Sequence, residues 1–260
     1  ERCFSGRDPD SHARGSGAHA IGAATASHRP IYRAIGGSGL GPWAWERVTP
    51  ILHDHGFHTI TPQLRTTGDD ATPAAAVGLD HWIEDVHEAL SDQADATLVA
   101  HSFAGYVAAA VLERRPQSIR RLIFVDAVLP QPGRSWFDLM GADVAGFMTS
   151  LASDGAIPWF SREQLDQLYP DNGIGDADFA WMQQHLTAQP IGTYTQPAIN
   201  EPLSAAGVPV AYVRCLRTRP PVAEVSAEKL GWSYRTLDAG HWPMITHPAE
   251  TARVTMELAT

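Results

Sequence analysis

Short apolar runs, bounded by glycine, proline or charged positions, alternate along the chain with longer stretches of helical spacing. The runs at Pro30–Ile35, Phe57–Thr61, Thr97–Ala100, Arg121–Val125, Val208–Val213 and Ser233–Leu237 read as strands. Helices are predicted between them. Trp43–His53 is opened by Pro42, in a first-turn position that proline tolerates. Leu79–Ser91 carries Trp82, Ile83, Val86 and Leu90 on one face. Further helices are predicted over Tyr106–Arg115, Val222–Leu230 and Pro248–Leu258. Regular alternation implies an α/β fold: a mostly parallel sheet of about six strands with helices on both faces. Strands buried on both sides account for the continuous apolar runs.

The alternation breaks between Gln131 and Pro202. This segment is helical in pieces and dense in bulky side chains, among them Trp136, Phe137, Met140, Phe147, Met148, Trp159, Phe160, Tyr169, Phe179, Trp181 and Met182. It reads as a helical cap, residues 131–202, inserted into a core made of residues 29–130 and 203–260. An apolar insertion placed above a site lines a pocket, here for a hydrophobic acyl or alcohol group. Residues 1–28 are rich in Arg, Ser, Gly, Ala and His without apolar period, and read as a flexible tail in which His12, His19 and His28 are solvated. The tail holds no apolar stretch of secretory-signal type.

Composition narrows the partners. Of 260 residues, 44% are hydrophobic and 18% charged, enough for a large core and few charges for a disordered chain. The net charge of −10 argues against nucleic acid or an anionic membrane as a partner, since both require a basic face. No apolar run has transmembrane length, and a cytoplasmic protein is expected. Cys3 and Cys215 form neither a disulfide framework nor a zinc spacing. His53, His55 and His58 straddle a helix end and a strand, and read as solvated rather than as a metal site.

In parallel sheets, functional groups gather at the carboxyl ends of the strands. After the strand at Thr97 comes Ala100-His101-Ser102-Phe103-Ala104-Gly105, and then a helix. This is the form of a nucleophile elbow: strand, tight turn carrying serine, helix, with small residues on either side where strand and helix pass closely. A serine hydroxyl needs a base. His241 follows the last strand in Leu237-Asp238-Ala239-Gly240-His241, placed to reach back to the elbow, whereas Asp238 reads as shaping its loop. An oxyanion needs two backbone N–H donors. Phe103, directly after the serine, supplies one, and Ser38 in the glycine loop Gly36–Gly41 the other. The loop lacks the lysine of a phosphate-binding loop.

These pieces, with Gly37-Ser38-Gly39-Leu40-Gly41-Pro42-Trp43-Ala44-Trp45 and Asp126-Ala127-Val128-Leu129-Pro130, resemble the α/β-hydrolase superfamily, in its branch of small esterases and plant-type hydroxynitrile lyases. The resemblance runs from about Pro30 to the C-terminus. It implies the α/β-hydrolase fold and a serine hydrolase cleaving a carboxylic ester, thioester or lactone through an acyl-enzyme on Ser102, with His241 as base and no cofactor or metal. The expected partner is a small-molecule ester with an apolar group. The sequence gives no oligomeric state.

The chain departs from the family pattern in three places. Gly36-Gly37 stands where His-Gly is usual, and alanines flank the elbow serine. Thr218 stands where the acid after the penultimate strand is expected, and no carboxylate lies between Val208 and Pro221. Three accounts of the acid are open: Asp126, as in relatives that carry it one strand earlier; Glu224 folding back; or a Ser–His dyad. Two other functions stay in play. One is a non-hydrolytic protein of the same fold, a ligand binder or a cyclase or isomerase. The other is a lyase of hydroxynitrile type, although Trp242 occupies the position of that branch's lysine and Lys229 is the chain's single lysine.

Overall fold

The computed structural model describes residues 31–90, 95–223 and 230–259. Six strands form one parallel sheet: β1 (Ile31–Ile35), β2 (His58–Ile60), β3 (Ala96–His101), β4 (Ile119–Val125), β7 (Val210–Cys215) and β8 (Ser233–Leu237). Their spatial order is β2-β1-β3-β4-β7-β8. The chain runs outward from β1 to β2, then returns to β3 on the other side of β1. The order therefore reverses between β1 and β3, and a crevice opens above the carboxyl ends of these two strands. The loops after them carry Ser38 and Ser102.

Two apolar layers cover the sheet. On one face, α2 (Leu79–Leu90) and α3 (Ala104–Arg114) pack Trp82, Ile83, Val86 and the entirely buried run Ala104–Leu112 against Leu98, Leu122 and Phe124. On the other, α1 (Thr49–Asp54) and the C-terminal α8 (Pro248–Ala259) cover Val99, Ile123 and Val213 with Leu52, Val254 and Leu258.

The predicted helix over Trp43–His53 is broken. A 3₁₀ turn, Pro42–Trp45, is followed by α1, which starts only at Thr49. Pro50 is the cause: it has no N–H for the carbonyl of Glu46, and its ring collides with a continuing turn. The strand predicted at Val208 begins at Val210, after Pro209, and extends to Cys215. The helix predicted over Val222–Leu230 falls largely on residues 224–229, which lie outside the described residues, as do residues 1–30, the expected tail among them.

Between β4 and β7 the chain forms α4 (Trp136–Met140), α5 (Ala142–Leu151), α6 (Arg162–Leu168) and α7 (Asp176–Gln183). A two-stranded antiparallel pair, β5 (Ala156–Ile157) with β6 (Gln189–Pro190), adds an element that the helical reading of this segment missed. Ser135 and Ser161 start α4 and α6 with reciprocal capping boxes. Among the described residues, no helix is long and apolar enough to cross a membrane.

Candidate active site

Ser102 sits at the turn between β3 and α3 with φ of 54°, a left-handed conformation uncommon for a residue with a side chain. Hydrogen bonds enforce it. The Ser102 N–H donates to the Val125 carbonyl at 3.3 Å, and the Ser102 carbonyl accepts from the N–H groups of Gly105 at 3.1 Å and Val128 at 3.0 Å. The glycine one step late in the elbow has a physical reason. A Cβ at Gly105 would lie 2.1 Å from the Val128 carbonyl oxygen. Only glycine lets the segment after β4 close on the elbow, and that segment begins with Asp126.

Asp126 also has positive φ, 44°. Its N–H donates to the Val213 carbonyl at 2.7 Å, and its side chain is buried. One carboxylate oxygen accepts from the Cys215 N–H at 3.1 Å. The other accepts from the Thr218 hydroxyl at 2.7 Å and from His241 Nδ1 at 2.7 Å. His241 Nε2 lies 2.9 Å from Ser102 Oγ. An ionised carboxylate only accepts, so Nδ1 carries the imidazole hydrogen and Nε2 is free to receive the serine proton. The structure thus brings together Ser102, His241 and Asp126. Thr218, at the family's usual acid position, turns its hydroxyl onto Asp126. Glu224 lies outside the described residues.

The histidine loop is held by four sets of contacts. The His241 carbonyl accepts from His101 Nε2 at 2.7 Å. His101 is fully buried, and burial pushes its pKa well below the ordinary value, so it stays neutral. Asp238, as expected, shapes the loop: it takes both arms of the Arg217 guanidinium at 2.9 Å. Gly240 packs against Asn172, where a Cβ would meet the Asn172 carbonyl oxygen at 2.3 Å. Trp242 is buried and packs edge-on against Trp159 and Tyr169.

The loop after β1 lies on the serine. A Cβ at Gly37 would stand 2.6 Å from Ser102 Cβ, so a side chain there would displace the serine. The next residue, Ser38, faces the same cavity as Ser102 and Phe103. Among the described residues, no acceptor takes the N–H of Ser38 or of Phe103. Side chains from the segment between β4 and β7 fix this loop. Trp159 Nε1 donates to the Ser38 carbonyl at 3.1 Å, the Gly39 N–H donates to the buried Gln189 side chain at 3.1 Å, and the Tyr194 hydroxyl lies 2.6 Å from Ser38 Oγ. Neither Tyr194 nor Gln189 stands out in the sequence, because no local spacing connects them to the loop they hold.

Above Ser102 is a cavity of about 120 Å³. Its apolar wall includes Leu40, Phe103, Trp136, Met148, Trp159 and Phe160, and no Asp, Glu, Lys or Arg side chain among the described residues lines it. Several of the bulky residues between β4 and β7 therefore line this cavity. Others do not: Phe179 and Met182 are buried in the core, and Phe147 is 60% exposed.

The chain is similar to known esterases and hydrolases. A pimeloyl-[acyl-carrier protein] methyl ester esterase from Aromatoleum aromaticum is 26% identical, over 86% of this chain and 96% of its own. A carbendazim hydrolyzing esterase from a Nocardioides species is 25% identical, over 84% of this chain and 95% of its own. Among solved structures, an extracellular alpha/beta-hydrolase from a Paenibacillus species superposes with a TM-score of 0.76 at 19% identity, covering 88% of this chain and 98% of that one. A pyrethroid hydrolase from Sphingobium faniae does so with a TM-score of 0.67 at 21% identity, covering 88% and 97%. The family profile described as "Alpha/beta hydrolase family" matches residues 35–254, a span that includes the glycine loop, the elbow, Asp126 and His241. With its sheet order, its elbow and this match over most of its length, the chain belongs to the alpha/beta hydrolase family.

Proposed function

We propose that this protein is a carboxylic ester hydrolase that works through an acyl-enzyme on Ser102. The observation that carries the reading is the unbroken line Ser102 Oγ–His241 Nε2 at 2.9 Å and His241 Nδ1–Asp126 at 2.7 Å, ending in the floor of an apolar cavity. As Ser102 Oγ bonds to the ester carbonyl carbon, His241 Nε2 takes its proton, and Asp126 holds the imidazolium by charge. The carbonyl oxygen becomes an oxyanion and accepts from the N–H groups of Phe103 and Ser38. The imidazolium then gives its proton to the departing alcohol as the carbon–oxygen bond breaks. Water, deprotonated by the same histidine, attacks the acyl carbon and releases the acid and Ser102.

The esterase names of relatives that match most of the chain support ester hydrolysis. The small cavity, and the lack of charged side chains in its lining among the described residues, favour a neutral ester with one compact apolar group. Ser102→Ala abolishes hydrolysis of p-nitrophenyl butyrate on this reading, and a fluorophosphonate probe labels Ser102. Retained turnover in the alanine variant overturns it.

A further inference from the structure

We propose that Tyr169 is a positioning residue for the base: its ring, held by the segment between β4 and β7, stacks on His241 and favours the imidazolium that the reaction forms. The proposal rests on the reading of His241 as general base. The Tyr169 and His241 rings lie with centroids 5.0 Å apart and planes 12° apart, a parallel stack. Trp242 and Phe160 meet the tyrosine ring at 70° and 51°, bracketing it.

The stack is fastened through the backbone as well. Tyr169 caps α6, its N–H donating to the Leu165 carbonyl at 2.9 Å. Its own carbonyl accepts from the Asn172 N–H at 3.0 Å and from the Asn172 side chain at 2.8 Å. The same buried asparagine also donates to Asp166 at 3.0 Å and accepts from the Ile174 N–H at 2.7 Å. It is the Asn172 backbone that abuts Gly240, one residue before His241. One turn of the segment between β4 and β7 therefore grips the histidine loop twice, by ring and by backbone.

The electrostatics follow from what faces His241. Asp126 approaches Nδ1 from the end of β4, with the Cys215 N–H and the Thr218 hydroxyl behind it. His101, at the end of β3, approaches ring to ring at 4.7 Å and is neutral. Tyr169 covers the imidazole with the face of a phenol whose pKa burial and Asp126 push up to about 12, so it carries no charge at working pH. The face of an aromatic ring attracts a cation. The stack thus stabilises protonated His241 relative to neutral His241, both at rest and in the transition state.

Tyr169→Leu keeps an apolar side chain and removes the ring. It is expected to lower kcat for p-nitrophenyl butyrate about tenfold with little change in KM. It is also expected to move the acidic limb of the rate profile about one pH unit lower, because an unstacked histidine gives up its proton more readily. Tyr169→Phe, which keeps the ring, stays within about twofold of the unaltered protein with its limb unmoved. Tyr169→Met provides a second ringless variant should the leucine protein fail to fold. A limb that stays in place or rises in a ringless variant whose Ser102 still reacts with fluorophosphonate overturns the proposal, as does a phenylalanine variant that behaves like the leucine one. Titration of the His241 ring protons by NMR reads the same shift without turnover. An unaltered protein whose Ser102 resists the probe thus defeats the hydrolase reading, while the titration still decides the stack.

Discussion

Two adjacent turns at the same end of the sheet share one task unequally. The turn after β4 supplies the charge: Asp126, held at positive φ and buried against His241. The turn after β7, with the last residue of that strand, supplies only donors to that charge, the Cys215 N–H and the Thr218 hydroxyl. Otherwise it runs outward, with Leu216 exposed and Arg217 paired to Asp238. Neighbouring parallel strands lie about 4.8 Å apart, so a carboxylate one strand nearer the nucleophile still reaches the same imidazole. The orienting acid is thus a volume beside Nδ1 that either strand end can fill, and the end that does not fill it is free to hold the acid in place.

Replacing the charge gives the largest effect. Asp126→Asn preserves shape but presents an amide to Nδ1, which favours the wrong tautomer; kcat should fall by about 10³–10⁴ with the melting temperature little changed, as steady-state kinetics and thermal melts will show. A loss below tenfold makes Asp126 structural. Next comes the exchange of turns. Thr218→Asp adds a second carboxylate where Thr218 Oγ1 now stands 2.7 Å from Asp126. Two like charges this close raise one pKa, so in the native background activity should fall several-fold rather than rise. In the Asp126→Asn background the same change should recover about tenfold or more of the lost rate, since the charge returns to the volume beside Nδ1. A rise in the native background means that the turn after β7 is the better seat for the acid. Thr218→Val is smaller again: it leaves a buried carboxylate one donor short, at a cost of about 1–3 kcal/mol in urea unfolding, and lowers kcat about twofold.

How much of this was legible depends on whether the deciding contact is local. The elbow announces itself because an apolar strand, a small-residue turn and an apolar helix are consecutive in the chain, and the parallel sheet follows from the alternation. The break near Pro50 and the late start of β7 after Pro209 are both written in proline chemistry that periodicity alone overrides. The acid was open because nothing near Asp126 in the sequence reports its contact with His241. That contact is made by Gly105, which lets the segment after β4 approach, and by pairing between β4 and β7. Tyr169 and Tyr194 are illegible for the same reason. Their partners, His241 and Ser38, belong to loops far away in sequence, and bulky residues in a segment without regular period give no sign of which will face the cavity.

The smallest effect concerns His101, on the strand that carries the nucleophile rather than on either acid turn. Its Nε2 holds the His241 carbonyl, while its buried Nδ1 has no partner among the described residues. Burial lowers its folded pKa well below 6.5, whereas in the unfolded chain it titrates near the ordinary value. Below about pH 6.5 the unfolded state therefore binds a proton that the folded state refuses, and stability falls as the pH drops. Stability contributed by neutral His101 is present above the unfolded pKa and is lost on acidification toward the folded one. His101→Gln retains a donor for the His241 carbonyl and removes the titration. Its stability should decline less between pH 6.5 and 5 than that of the unaltered protein, measured by urea unfolding at each pH. Equal slopes place the acid sensitivity elsewhere. A steeper slope in the glutamine variant means that the His101 ring is protonated within the fold, and the imidazole beside His241 is then a second cation that the acid turns must balance.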